Sequence, residues 1–163
     1  MLETERLLII PLSARQLRLW IENISALENE LHCSYQAEPM TGSFLEIVKQ
    51  QVPITEADEP YYLFHTFWFL IRKMDRTVIG SADFKNKPDE KGEVEIGYGL
   101  GSNFLHLGYM TEAIQAMCRW ALHQNGIAHV IAETGLDHTA SQNVLTRCGF
   151  KRYQQGETLW WKL

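Results

Sequence analysis

The sequence predicts an α+β sandwich in which a central mixed sheet of six or seven strands is flanked by helices. Three observations carry that expectation. The middle of the chain reads as a buried strand over 67–73, a second over 78–84 and an alternating one from Glu93, separated by turns. The segment after Gly108 repeats its apolar residues with helical period. A further short helical segment closes at Cys148-Gly149-Phe150 before a β-rich tail. With 163 residues and no linker, repeat or low-complexity tract, residues 1–163 read as a single domain.

Taken in order, residues 7–10 form a short apolar strand ended by Pro11. Ser13 is placed to cap a helix running to about Ile24, with Leu17, Trp20, Ile21 and Ile24 on one side. A helix over 42–51 carries Phe44, Leu45, Ile47 and Val48, and the acidic stretch 53–60 reads as a surface loop. Residues 67–73 and 78–84 are strands joined by a turn at Asp75-Arg76, and 93–100 is the next strand, giving three antiparallel neighbours. After Gly108, Ile114, Met117, Cys118, Ala121 and Leu122 make one apolar stripe, ended by Asn125-Gly126. Residues 128–134 form a strand. Thr139 and Gln142 suggest a capping box for a helix that stops at Gly149 with Phe150 packing back, and residues 152–153 and 158–161 form a last hairpin.

Composition narrows the function classes. A net charge of −5 argues against a nucleic-acid partner and suits a cationic one. The six histidines and three cysteines show no metal-ligand spacing, so no metal site is expected. Cys33, Cys118 and Cys148 read as buried reduced thiols, which predicts a cytoplasmic setting, and Cys148 as a packing residue rather than a nucleophile. No apolar run approaches the roughly 20 residues that span a bilayer, so no membrane association is expected.

The candidate chemistry lies where strand 93–100 runs into a loop that opens on a helix. A helix N-terminus offers unpaired N–H groups and partial positive charge, which suit a phosphate chain. Alternation puts Glu93, Glu95 and Gly97 on one strand face and Val94, Ile96 and Tyr98 on the other. Both glutamates could also simply face solvent. From Gly99 to Thr111 the loop holds no Arg or Lys, so backbone amides over 106–111 would have to do most of the work.

These segments, in this order, resemble the GCN5-related N-acetyltransferase (GNAT) superfamily. Glu95-Ile96-Gly97-Tyr98 is similar to its acidic–apolar–Gly–aromatic strand. Asn103-Phe104-Leu105-His106-Leu107-Gly108 is similar to its phosphate loop, with Gly108 the full match and Asn103 and His106 departures. The opening Thr4-Glu5-Arg6-Leu7, and His138, Ser141, Val144-Leu145, Arg147 and Gly149-Phe150, resemble the RimJ/RimL-like ribosomal-protein N-acetyltransferase branch, with His138 in place of Asn. The resemblance implies the acyl-CoA N-acyltransferase fold and an N-acetyltransferase that moves acetyl from acetyl-CoA to a primary amine, either a protein N-terminus or a small amine, as a monomer or homodimer.

It also implies site roles. Glu95 is the general base with Glu93 as relay, and Ser141 stands in as proton donor to the thiolate because Leu145 occupies the position where other branches carry Tyr. Tyr98, Gly99 and Leu100 contact pantetheine, Gly99 or Leu100 offering the oxyanion N–H. Asn103, His106, Leu107, Gly108, Tyr109, Met110, Thr111, His138 and Ser141 complete the acetyl-CoA site. A protonated His106 would make CoA binding stronger as pH falls. Glu112 reads as a first-turn partner of the helix dipole. The aromatic stretch 60–65 is a candidate lining of the acceptor pocket. A second reading stays open: a degenerate acyl-CoA-binding sensor or interaction module.

Overall fold

Nine strands and five α-helices, described over residues 1–163 in a computed structural model, build one sheet covered on both faces. The strands are β1 (Leu2–Glu3), β2 (Leu7–Pro11), β3 (Ser34–Tyr35), β4 (Phe67–Arg72), β5 (Thr77–Phe84), β6 (Glu93–Leu100), β7 (His129–Gly135), β8 (Lys151–Gln155) and β9 (Thr158–Lys162). The helices are α1 (Ala14–Glu22), α2 (Ile24–Leu31), α3 (Gly42–Ala57), α4 (Tyr109–Leu122) and α5 (Thr139–Arg147). Sheet order is β1-β2-β4-β5-β6-β7-β9-β8, with β3 laid parallel against the start of β5. Seven strands of five residues or more form the expected sheet, and the two-residue β1 and β3 extend it to nine.

Alternation divides the apolar residues into two cores. Trp68, Leu70, Ile79, Phe84, Val94 and Ile96 pack on α4 and on Leu145 of α5. Phe67, Phe69, Ile71 and Val78 pack on α1, α2 and α3, around Trp20, whose ring meets Tyr35, Phe44, Phe67 and Phe69. Helices α4 and α5 therefore share one sheet face, and α1 to α3 the other.

Local signals explain most boundaries. Ser13 and Gln16 form the full capping box at α1. Gly149 (φ 92°) closes α5 as a Schellman motif, its N–H bonding to Thr146 O and the Phe150 N–H to Leu145 O. Three expectations need correction. The first helix does not reach Ile24: Asn23 leaves helical geometry and caps a separate α2, its Oδ1 accepting from the Ala26 N–H at 3.1 Å. Residues 53–60 are not a loop, because α3 continues through Pro53 to Ala57 and a 3-10 turn follows over Glu59–Phe64. Pro53 sits on the solvent face, while Val52 and Thr55 beside it are buried and hold the helix to the sheet. Nor does Thr139 cap α5. His138 is the cap residue and makes no side-chain bond, and the Gln142 amide instead donates to the Gly135 and Leu136 carbonyls.

The N-terminal segment is fastened to α4 by one carboxylate. Glu112 accepts from the Thr4 hydroxyl at 2.6 Å, the Arg6 N–H at 2.8 Å and the Arg6 guanidinium at 2.6 Å. The Arg6 guanidinium also lies over the Tyr109 ring at 4.3 Å. Glu112 thus does more than face a helix dipole. Burial would raise its carboxyl, but the donors of Thr4 and Arg6 outweigh burial and hold it below the usual carboxylate range. A depressed carboxyl stabilises the fold above its unfolded-state pKa and loses that contribution as pH falls through the folded value. Glu112→Gln is expected to lower unfolding free energy by about 1 kcal/mol at neutral pH. Denaturant midpoints should show that deficit shrinking as the pH is taken below about 4.

Candidate functional site

Strands β6 and β7 start as parallel partners and then separate. Their pairing covers only Glu93, Val94 and Glu95 against His129, Val130 and Ile131. Beyond that point β6 keeps β5 as its neighbour, and β7 keeps β9. The Gly101 N–H bonds to Ile79 O and the Lys85 N–H to Glu95 O, so the odd-numbered residues of β6 turn their backbone toward β5. Tyr98 and Leu100 consequently turn theirs toward the gap, where no strand meets them. This register corrects one expectation: Leu100, and Tyr98 with it, can present an N–H to the gap, whereas Gly99 faces β5.

The gap opens onto the loop before α4. Across residues 105–111 no backbone N–H donates to a carbonyl, while the Glu112 N–H makes the first helical bond, to Gly108 O. Gly108 (φ 80°) and His106 (φ 61°) take left-handed geometry and turn this run of amides into a concave cap on the helix. The Leu107 carbonyl is held by Arg6 at 2.9 Å. Tyr109 and Met110 point their side chains into the core, so only their amides are available. Asn103 lies exposed in the preceding 3-10 turn.

On the opposite side of the gap stands α5. The Tyr98 hydroxyl shares a hydrogen bond of 2.8 Å with the Ser141 hydroxyl and reaches the Ser141 carbonyl at 3.3 Å. Burial pushes the Tyr98 phenol up to about 12, with the Ser141 bond pulling the other way, so it stays protonated. The two residues, on elements 43 positions apart, are thereby brought together. His138 and Ser141 both line a cleft of about 540 Å³ that opens on the α1–α3 face and reaches through the gap to α5.

The floor of that cleft is acidic. Asp83 on β5 lies opposite Gly97 on β6, its Oδ1 only 2.9 Å from where a Gly97 Cβ would be. The Glu38 carboxylate lies in the same way over Gly99. Glu95 is ion-paired with Lys85, and Glu93 with Lys162 at 2.5 Å, outside the cleft lining. The helical wall comes from Phe44, Ile47 and Gln51 of α3 and from Phe67. Residues 60–65 do not line it: Phe64 stacks against Trp120 and Phe84 in the core, and Tyr61 lies under Lys87. Burial pushes the Cys148 thiol up to about 11, in keeping with a packing role.

Asp83, Glu38 and Lys85 were not singled out from the sequence. A signal existed for Asp83: aspartate is disfavoured inside strands, and here it is the one charged residue of β5. Glu38 offered none, because its position depends on a loop anchored by the Tyr35 hydroxyl donating to Glu38 O at 2.5 Å.

Comparison with known proteins gives a consistent picture. The family model described as "Acetyltransferase (GNAT) domain" matches residues 6–151. The Uncharacterized N-acetyltransferase YjdG of Bacillus subtilis (strain 168) is 31% identical over 83 residues, which cover 51% of this chain and 49% of that protein, so the match spans about half the length of this curated relative. Among solved structures, the ribosomal-protein-S5-alanine acetyltransferase from Vibrio fischeri superposes with a TM-score of 0.70 at 18% identity, over 99% of this chain and 94% of that one. RimL, a ribosomal L7/L12 alpha-N-protein acetyltransferase solved in complex with coenzyme A, gives 0.68 at 15% identity, over 98% and 94%. At these identities the superpositions establish the fold.

The glycines of β5 and β6 separate by what an added methyl would strike. At Gly80 a Cβ would meet the Gly99 carbonyl, which cannot yield, whereas at Gly97 it meets the end of the Asp83 side chain. Gly80→Ala is expected to cost about 2 kcal/mol or more in denaturant unfolding. Gly97→Ala should cost under about 1 kcal/mol and displace the Asp83 carboxylate, seen as a moved Asp83 carboxyl resonance.

Proposed function

The chain belongs to the GNAT acetyltransferase family, and we propose that it transfers the acetyl group of acetyl-CoA to a primary amine by direct attack in a ternary complex. The observation that carries this reading is the run of unpaired β6 backbone leading into the unpaired amides of residues 105–111. Pantetheine would add to the free edge of β6 as an extra strand, and the pyrophosphate would sit on the amides before α4. The loop needs no basic side chain for this, since the amides and the helix dipole supply the positive field.

Chemistry follows from that pose. The thioester carbonyl would accept from the Leu100 or Tyr98 N–H, where negative charge develops during attack. Asn103, His106 and His138 would lie along the CoA chain. Ser141 would give its hydroxyl proton to the departing sulfur while Tyr98 donates to Ser141, a modest aid because a thiol of pKa about 8.5 already leaves readily. The amine must arrive uncharged, so a carboxylate on the floor must take its proton. The acceptor enters from the α1–α3 side, past Phe44 and Ile47, and an acidic floor favours a cationic amine such as a protein N-terminus or a small amine.

Two measurements test the reading. Thiol release from acetyl-CoA, followed over a panel containing a short peptide with a free α-amine and 1,4-diaminobutane, should detect amine-dependent turnover. Ser141→Ala should lower kcat about tenfold with acetyl-CoA affinity unchanged. By calorimetry, Gly108→Val, which forces a branched side chain into left-handed geometry, should weaken acetyl-CoA binding at least about tenfold. Binding without turnover of any amine would make the protein an acyl-CoA-binding module instead.

A further inference from the structure

Two carboxylates share the cleft floor with the splayed strands, and each lies over a glycine of β6 that leaves it room. We infer that Asp83, rather than either glutamate of β6, takes the proton from the acceptor ammonium, and that Glu38 helps to hold that ammonium over Gly97 and Gly99. The inference deepens the acetyltransferase reading and rests on it.

Position argues first. Gly97 precedes Tyr98, whose backbone faces the gap where the thioester would lie, so a group resting on Gly97 is beside the reacting carbon. Asp83 is that group. Availability argues second. Glu95 is engaged by Lys85, and Glu93 is held by Lys162 away from the cleft. Asp83 has neither an ion-pair partner nor a hydrogen-bond donor from the protein. A half-buried carboxylate without a protein donor, lying on the floor of a cleft, points to a ligand that supplies the missing donor.

The surrounding charges set its proton affinity. Lys85, just past the end of β5, and Glu95 of β6 are the charges that act on Asp83, while Glu38 after β3, Glu133 of β7 and His138 at the start of α5 line the same cleft. Burial pushes Asp83 up to about 7, with Lys85 lowering it and Glu95 raising it further. Burial also raises Glu38. A base near 7 matches the working pH, whereas a primary ammonium near 10 must be deprotonated before attack. In the step, one N–H bond of the ammonium breaks and its proton passes to the Asp83 carboxylate. The freed lone pair forms a C–N bond at the thioester carbon, and the C–S bond breaks. The thiolate takes a second proton from the former amine through Ser141, and Asp83 returns its proton to water.

The test is the pH dependence of kcat/KM for the peptide and the diamine, with acetyl-CoA saturating, in the wild type and in Asp83→Asn, Glu95→Gln and Glu38→Gln. The wild-type rate should rise with pH to a bend near 7. Asp83→Asn should lose about 100-fold or more and lose the bend, with acetyl-CoA affinity by calorimetry unchanged. It should melt at or above the wild-type temperature at pH 8, since it removes a charge that burial penalises. Glu95→Gln should keep the bend but move it to lower pH, because a repelling charge is removed and Lys85 is released toward Asp83. Glu38→Gln should raise the amine KM more than it lowers kcat. An Asp83→Asn enzyme with the wild-type bend, or a Glu95→Gln enzyme that loses it, overturns the Asp83 assignment while leaving acetyl transfer intact. A wild type that binds acetyl-CoA and acetylates no amine overturns both.

Discussion

One constraint organises this protein: past Glu95, strand β6 has a neighbour on one side only. A strand edge inside a folded domain is normally paired or covered, since unmet backbone groups are costly when removed from water. Here the edge stays open because β7 is drawn away into a full antiparallel pairing with β9. The sheet is thereby divided into two wings joined by three residue pairs. Helices α4 and α5 fasten the wings through a common core that includes Ile114, Met117 and Leu145. The gap is thus a product of how the core is packed, and α4, whose N-terminus receives the end of β6, is fixed by the same contacts. The clamp of Thr4 and Arg6 on Glu112 holds that N-terminus from the other side.

Two faces of the same strand then do separate work. On its even side β6 buries Val94 and Ile96 in the α4 core and, at Tyr98 and Leu100, turns free backbone to the gap, while on the odd side Gly97 and Gly99 keep the cleft floor flat. Without side chains at those two positions, Asp83 and Glu38 can lie against the strand instead of standing off it. Such an arrangement raises the cost of charge at Asp83, a penalty that functional sites carry and interiors built only for stability avoid.

The legible parts of the sequence were those governed by short-range periodicity. The strands β4, β5 and β6, the α4 stripe, the Ser13 cap and the Gly149 stop all follow from residues within a few positions of one another. Errors arose where tertiary packing overruled a local signal. Pro53 is a helix breaker by propensity, yet Val52 and Thr55 bury the flanking turns and α3 passes through it. Thr139 and Gln142 have capping spacing, but the Gln142 amide found the Gly135 and Leu136 carbonyls instead. In the site, the unpaired amides of residues 105–111 and the pairing of Tyr98 with Ser141 lie on segments that the family motifs mark. The acidic floor does not. Glu38 and Asp83 are 45 residues apart and meet only because β3 pairs with β5 and β5 with β6. Nothing in local periodicity encodes that juxtaposition.

The most direct test of the open edge is amide hydrogen exchange along β6, read residue by residue with and without acetyl-CoA. Slowed exchange is expected at Tyr98 and Leu100 and across residues 105–111, with Gly97 and Gly99 unchanged because they already bond to β5. Protection confined to Gly97 and Gly99, or no change along β6 at a saturating concentration, would contradict a cosubstrate bound as the missing strand.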